Sequence, residues 1–337
     1  MGWAGLALWL LAGLVLGCAA TWLARGYALR RQLIDHPGER RSHREATPRG
    51  GGIAIVLVLL VAMAVLGGQA PARLPELALA AAGLVLVAGI GWIDDHRPLP
   101  AGLRLCVHVL AAALLCIGLW LAGACPLDLA MAFVAAVVLT NVWNFMDGIN
   151  GIAASQAVLV ATAYALFAGQ GPVFWLGLAL AAGASGFLPF NFPRARIFMG
   201  DVGSGALGYA LAAMLGVLSL HADAGMRLVL LFPLLPFLLD ASLTLLSRMV
   251  RRERWWQPHT AHAYQAWARR RGHARVTVAY ALATAFASTV MLAMRSSHWS
   301  FIMLLYVAFL SFGGLAWMLL RDRPMDRYPD TLRDGKP

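Results

Sequence analysis

Four aspartates stand where long apolar runs stop: Asp94, Asp95, Asp147 and Asp201. The chain holds only 16 acidic side chains in 337 residues, so their placement is informative. A carboxylate beside lipid is costly unless it binds something, and such a residue marks a functional site by default. The four lie in short polar stretches: Asp94-Asp95-His96-Arg97, Asn144-Phe145-Met146-Asp147-Gly148-Ile149-Asn150-Gly151 and Phe198-Met199-Gly200-Asp201-Val202-Gly203-Ser204. Brought together, they would make a site for a cation and a phosphate at a membrane face.

The spacing suggests a task for each. Asn144, Asp147 and Asn150 are three apart and share a face if the helix continues through them. Their oxygens suit a hard cation such as Mg²⁺, which one or two carboxylates commonly hold together with substrate phosphate; a solvated helix end is the alternative. Gly148 and Gly151 would admit a ligand to the backbone. Asp201 opens a span between glycines. Exposed amides at a helix start attract phosphate, which Asp201 would repel unless a cation bridges the two. Asp201 is therefore the leading metal ligand, with Asp147 beside it. On a helix, Asp94 and Asp95 diverge by about 100°, so one can act as base or position a phosphate while the other caps a helix. Arg104, ten positions on, can neutralise phosphate or serve as a plain interfacial anchor.

Other stretches add candidates. Asp35, Arg41 and His43 precede Thr47-Pro48-Arg49-Gly50-Gly51-Gly52; the arginines and His43 could grip phosphate, and the glycines permit close backbone packing. Arg196, shortly before Asp201, is a further candidate substrate contact. His259 and His262 are spaced like a metal pair. No neighbouring Cys, Asp or Glu completes a zinc set, so diphosphate binding is the expectation. Asp240 lies deeper within an apolar run, where it either pairs with an arginine or joins the site.

These residues need elements to position them. Hydrophobic residues make up 60% of the chain, charged residues 13%, and the mean hydropathy is +0.70, against about 25% charged residues in a soluble domain. The expected fold is all-α: a polytopic integral membrane protein of about eleven spans, each of roughly 20 apolar residues. They fall near 3–23, 51–67, 76–93, 103–122, 126–143, 152–168, 172–189, 204–220, 228–247, 276–294 and 300–320. With the N-terminus outside and the C-terminus inside, only Arg73, Arg227 and Arg295 of the 27 Lys and Arg fall outside, as the positive-inside rule asks. The net charge of +11 thus reflects membrane anchoring, and no nucleic-acid partner is expected. The inside segments are 24–50, 94–102, 144–151, 190–203 and 248–275, with a tail at 321–337, all within one catalytic domain. The first span lacks a basic leader, so a cleaved signal peptide is not expected. Cys106, Cys116 and Cys125 show no metal-like spacing.

All four aspartates then share the inner face. That asymmetry fits an enzyme or binding site better than a transporter, whose site usually lies near the bilayer midplane; a transporter of lipid-linked or nucleotide-linked sugar is the alternative reading. Taken in order from Asp35 to Gln265, the segments resemble the polyprenyl-phosphate N-acetylhexosamine-1-phosphate transferases, closest to the subgroup that initiates O-antigen and related surface glycans. The resemblance implies transfer of a sugar-1-phosphate from a UDP-N-acetylhexosamine to undecaprenyl phosphate, with release of UMP. It also implies Mg²⁺ (Mn²⁺ as the alternative), a bacterial inner-membrane location, a cytoplasm-facing site and a candidate homodimer. In this resemblance Asp201 is similar to the family's metal ligand and Phe198 to an aromatic that stacks on uracil. Asn191 matches the family's asparagine ten positions upstream of that aspartate, and Asn144 and Asp147 match the nucleotide-side loop. Asp94 and Asp95 match an aspartate pair that either deprotonates the lipid phosphate or attacks the donor, and His259 and His262 match a histidine loop near the diphosphate. Asp35, Arg41 and His43 match the first inside loop. Two departures stand out: Asn150 replaces an Asp of many members, and the triple-histidine loop of the muramyl-pentapeptide branch is missing. The second argues against that donor, and the subgroup's donors include N-acetylated 6-deoxy sugars.

Overall fold

The computed structural model describes residues 2–35, 46–220, 222–253, 260–295 and 297–321. Arg41, His43 and His259 lie outside the described residues. The described chain is almost wholly helical, with one two-stranded antiparallel pair, β1 (Ile34–Asp35) and β2 (Thr47–Pro48), in which Asp35 faces Thr47.

The helices follow the apolar runs. They are α1 (Trp3–Arg30), α2 (Ile53–Gln69), α3 (Leu74–His96), α4 (Ala101–Leu121), α5 (Pro126–Met146), α6 (Ile152–Ala168) and α7 (Pro172–Asn191). Then come α8 (Asp201–Ser219), α9 (Ala224–Leu231), α10 (Leu235–Val250), α11 (Ala263–Arg271), α12 (His273–Ala293) and α13 (Trp299–Arg321). Among the described residues, nine helical stretches are long and apolar enough to cross a membrane, and α2 and α6 are shorter apolar helices. This is a polytopic membrane protein.

Three differences from the sequence reading have local causes. The span near 228–247 is broken into α9, a 3-10 turn at Phe232–Leu234, and α10. Pro233 and Pro236 lack the N–H that an unbroken helix would use there. Helix α3 runs on through Asp94 and Asp95, so both sit on its last turn rather than in a loop. The segment 248–275 is not all loop, because it holds α11 and the first residues of α12.

Helix α8 is the centre of the bundle: 89% of its span is buried, against 6% for α13 and 11% for α1. Lipid tails are as apolar as Leu, so small residues and close backbone approach hold membrane helices together. Helix α8 is built for this. A Cβ on Gly208 would lie 2.1 Å from the Leu139 carbonyl oxygen of α5, and one on Gly203 would lie 2.5 Å from the Gly52 Cα at the start of α2. On α3, a Cβ on Gly91 would lie 2.4 Å from the Asp201 carbonyl oxygen. That last approach brings the end of α3, with its aspartate pair, against the start of α8.

Candidate active site

The ends of α3, α5 and α7 and the starts of α8 and α12 meet at one end of the bundle around a polar cavity of roughly 200 Å³. Its wall includes Asp35, Asp95, Asn144, Asp147, Asn150, Asn191, Phe198 and Asp201.

The start of α8 organises the wall. Gly200 at its N-cap has φ +76 and no side chain with which to cap the helix. Asp95 does so from α3: its Oδ1 accepts the Asp201 N–H and its Oδ2 the Val202 N–H, both at 3.1 Å. One member of the aspartate pair is therefore the helix cap, and the fold assigns that place to Asp95. The Arg49 guanidinium donates to the Asp95 carbonyl, and its Nε lies 3.9 Å from the carboxylate. Asp94 points the other way. Its Oδ1 accepts the Leu99 N–H at 2.6 Å, and its Oδ2 accepts Arg104 Nη1 at 3.0 Å. The same Arg104 nitrogen donates to Asp201 Oδ2 at 2.7 Å, so one guanidinium bridges two of the four aspartates.

The Phe198 backbone is tied on both sides. Its N–H donates to the Pro48 carbonyl at 2.8 Å, and its own carbonyl accepts the Gly51 N–H at 2.9 Å. This short ladder explains the glycines at 50–52: the chain lies flush against 198–203 there. Asn191 is buried and works within the protein, accepting the Gly151 N–H at 2.7 Å and donating to the Ile197 carbonyl at 2.9 Å.

Asp147 ends α5, so the helix does not continue through Asn150. Asn144, Asp147 and Asn150 still line the cavity, but across a turn instead of along one helical face. Asn144 donates to Ser204 Oγ at 3.2 Å, and Asn150 donates to the Pro193 carbonyl at 3.0 Å. Gly148 lines the cavity and Gly151 does not, and both are packed on the side a Cβ would take. A Cβ on Gly148 would meet the Tyr264 hydroxyl at 2.2 Å, and one on Gly151 the Phe192 ring at 2.8 Å. Those glycines admit the protein's own aromatics.

Other expected contacts fall elsewhere. Arg196 is outside the cavity wall: its guanidinium donates to the Pro189 carbonyl at 2.6 Å and sits over the Phe190 ring. His262 is buried beside Asp240, with Nδ1 3.6 Å from the carboxylate, and does not line the cavity. The cavity also takes Arg49, one of the arginines of the stretch before α2, and Gln265 and His273, to which the sequence reading gave no role. His273 carries no motif of its own; only its place after Gly272, opening a span, could have marked it.

Among the described residues, no three His, Cys, Asp or Glu side chains form a ready-made metal cage. Mg²⁺ does not require one, because substrate phosphate completes its shell. Asp147 and Asp201 both line the cavity. Burial, and then the charges of Asp201 and Asp95, push the Asp147 carboxyl well above the usual carboxylate range. Crowded, poorly solvated carboxylates are a donor set that a hard cation relieves, so Asp147 and Asp201 fit such an ion.

Fold and site together define a class: a polytopic membrane protein with an aspartate- and amide-lined cavity at one end of its helix bundle. Residues 77–219, from α3 to the end of α8, match the model of Glycosyl transferase family 4. The chain is 34% identical over 244 residues to the phospho-N-acetylmuramoyl-pentapeptide-transferase of Symbiobacterium thermophilum, covering 63% of this chain and 72% of that protein. It belongs to glycosyl transferase family 4. It is also 34% identical to the decaprenyl-phosphate N-acetylglucosaminephosphotransferase of Mycobacterium leprae, over 58% of this chain and 56% of that protein. The probable undecaprenyl-phosphate N-acetylglucosaminyl 1-phosphate transferase of Bacillus subtilis is 24% identical, over 72% of each chain. The match thus spans a little over half the length of the mycobacterial relative.

Proposed function

We propose that the protein transfers an N-acetylhexosamine-1-phosphate from a UDP-sugar to undecaprenyl phosphate at the cytoplasmic face of a bacterial inner membrane, as the first membrane step of a surface glycan. The observation that carries this reading is the convergence of Asp95, Asp147 and Asp201 with Asn144 and Phe198 on one cavity, with Arg104 bridging Asp201 and Asp94 at its edge. The names of the Mycobacterium leprae and Bacillus subtilis relatives support a polyprenyl-phosphate acceptor, and all three names support an N-acetylated sugar phosphate. A 6-deoxyhexosamine donor is the finer expectation, from the subgroup resemblance.

Acceptor and donor are both anions, so bringing them together is the first obstacle. Arg49 and Arg104 lower it electrostatically. Mg²⁺ held by Asp201 and Asp147 would supply charge neutralisation at the diphosphate. Phe198, held by its backbone ladder, offers a ring face to the uracil. In this reading Asp94, which pairs with Arg104 and is not among the residues lining the cavity, ionises or orients the lipid phosphate, while Asp95, on the wall, caps α8. An oxygen of the lipid phosphate then forms a bond to the donor's β-phosphorus. The bond from that phosphorus to the bridging oxygen breaks, and the electron pair leaves with UMP. Holding the two phosphates in line supplies the proximity. A phospho-aspartate route is the rival, and a radiolabelled protein trapped from donor alone would establish it.

The test is UMP release from the purified protein with undecaprenyl phosphate, Mg²⁺ and a panel of UDP-N-acetylhexosamines. Release with at least one donor is expected. No release from any of them would favour a transporter or a non-catalytic role.

A further inference from the structure

Asp240 is a buried carboxylate to which this mechanism gives no task. It sits within α10, 3% exposed, where an unpaired charge would be expensive. Its donors come from three directions. Oδ1 accepts the Ala263 N–H at 2.9 Å and Thr244 Oγ1 at 3.1 Å; Oδ2 accepts the Tyr264 N–H at 2.9 Å and Tyr280 Oη at 2.7 Å. His262 Nδ1 lies 3.6 Å away. One side chain on α10 therefore caps the start of α11 and binds α12.

Those two helices in turn hold both ends of the turn that carries Asp147. The fully buried Tyr264 of α11 donates its hydroxyl to the Phe145 carbonyl at 3.0 Å, and Gly148 makes room for it. Thr277 of α12 donates to the Asn150 carbonyl at 2.7 Å. Gln265, next to Tyr264, lines the cavity. A buried charge network of this kind is weak as a source of stability, since apolar residues of similar size do as well or better. What it sets well is geometry.

We infer that Asp240 is a positioning residue for the cavity: through Tyr264 and Tyr280 it fixes where the Phe145–Asn150 turn, and so the Asp147 carboxylate, stands. This deepens the transferase reading and rests on it.

The test uses the full chain purified in detergent and compares wild type, Asp240→Asn, Tyr264→Phe and the double variant. UMP release gives kcat, donor KM and the Mg²⁺ concentration for half-maximal rate; thermal unfolding reports the fold. Asp240→Asn should lower kcat about ten- to a hundredfold, the usual range for losing hydrogen bonds to a buried charge, and should raise the Mg²⁺ requirement. Tyr264→Phe, which deletes only the hydroxyl, should reproduce part of the Mg²⁺ shift at near-wild-type thermal stability, and the double variant should be no worse than Asp240→Asn. Unchanged kcat and Mg²⁺ requirement in Asp240→Asn, or effects that multiply in the double variant, would overturn the inference. If Asp240→Asn does not fold, Tyr264→Phe decides alone: an unshifted Mg²⁺ requirement overturns it. A wild type that releases no UMP sinks the transferase reading and this inference with it, whereas an active wild type with unaltered variants sinks only the inference.

Discussion

Arg104→Ala separates two roles that a single guanidinium holds here. One Arg104 nitrogen contacts Asp94 at 3.0 Å and Asp201 at 2.7 Å, with side-chain exposures of 28% for Arg104, 16% for Asp94 and 30% for Asp201. Without ligand, Arg104 occupies the carboxylate proposed for Mg²⁺. A cation approaching Asp201 must loosen that ion pair, which costs about 1 to 2 kcal/mol for partly exposed groups. Removing Arg104 removes that cost and leaves two like charges close together, which a divalent ion relieves. About 1.4 kcal/mol is a factor of ten in affinity. Arg104→Ala should therefore bind Mg²⁺ about tenfold more tightly in the absence of substrate, yet turn over more slowly, because the guanidinium is no longer available to substrate phosphate. Calorimetric titration of Mg²⁺ into detergent-purified protein, alongside UMP release, reads both quantities. Unchanged or weaker Mg²⁺ binding would refute the idea that arginine and metal compete for Asp201.

The other expectations are simpler. Asp201→Asn should lose nearly all activity with normal membrane insertion; substantial turnover at saturating Mg²⁺ would count against its metal role. Phe198→Ala should raise the donor KM and leave the acceptor KM alone, and an unchanged donor KM would remove the stacking role. Because the Asp147 carboxyl is pushed up, the folded state holds its proton more tightly than the unfolded chain does. Its stabilising contribution is therefore complete below the ordinary aspartate range and is lost as pH rises through the raised value. Metal-free protein should lose thermal stability on that rise, and Asp147→Asn should flatten the profile. Mg²⁺ must displace the same proton, so its apparent affinity should weaken on acidification in wild type more than in Asp147→Asn.

Much of the bundle is legible in residue type alone. A run of about 20 apolar residues has one low-cost structure in lipid, a helix that satisfies its own backbone; hence the helices fall where the hydropathy places them. The positions of Asp94, Asp95, Asp147 and Asp201 at the ends of those runs were equally visible. Boundaries were less so. Asp94 and Asp95 prolong α3 because the helix outlasts its apolar stretch, and α10 is separated from α9 because two prolines interrupt the hydrogen-bond ladder.

Partner choice was not legible, because it joins residues far apart in the chain. Asp95 caps α8 and Asp94 does not, and the reason is the close approach at Gly91, which turns one of two adjacent carboxylates toward Gly200. His262 meets Asp240 instead of the cavity, Arg196 folds back on Pro189, and Arg49 and His273 take places on the wall. Sequence by itself determined that this chain crosses a membrane as helices and carries its acids at their ends, since transfer energy and helix length are local quantities. Only the tertiary structure decided which acid caps, which pairs and which faces the cavity, since those outcomes depend on how closely glycine-bearing helices pack across the bundle.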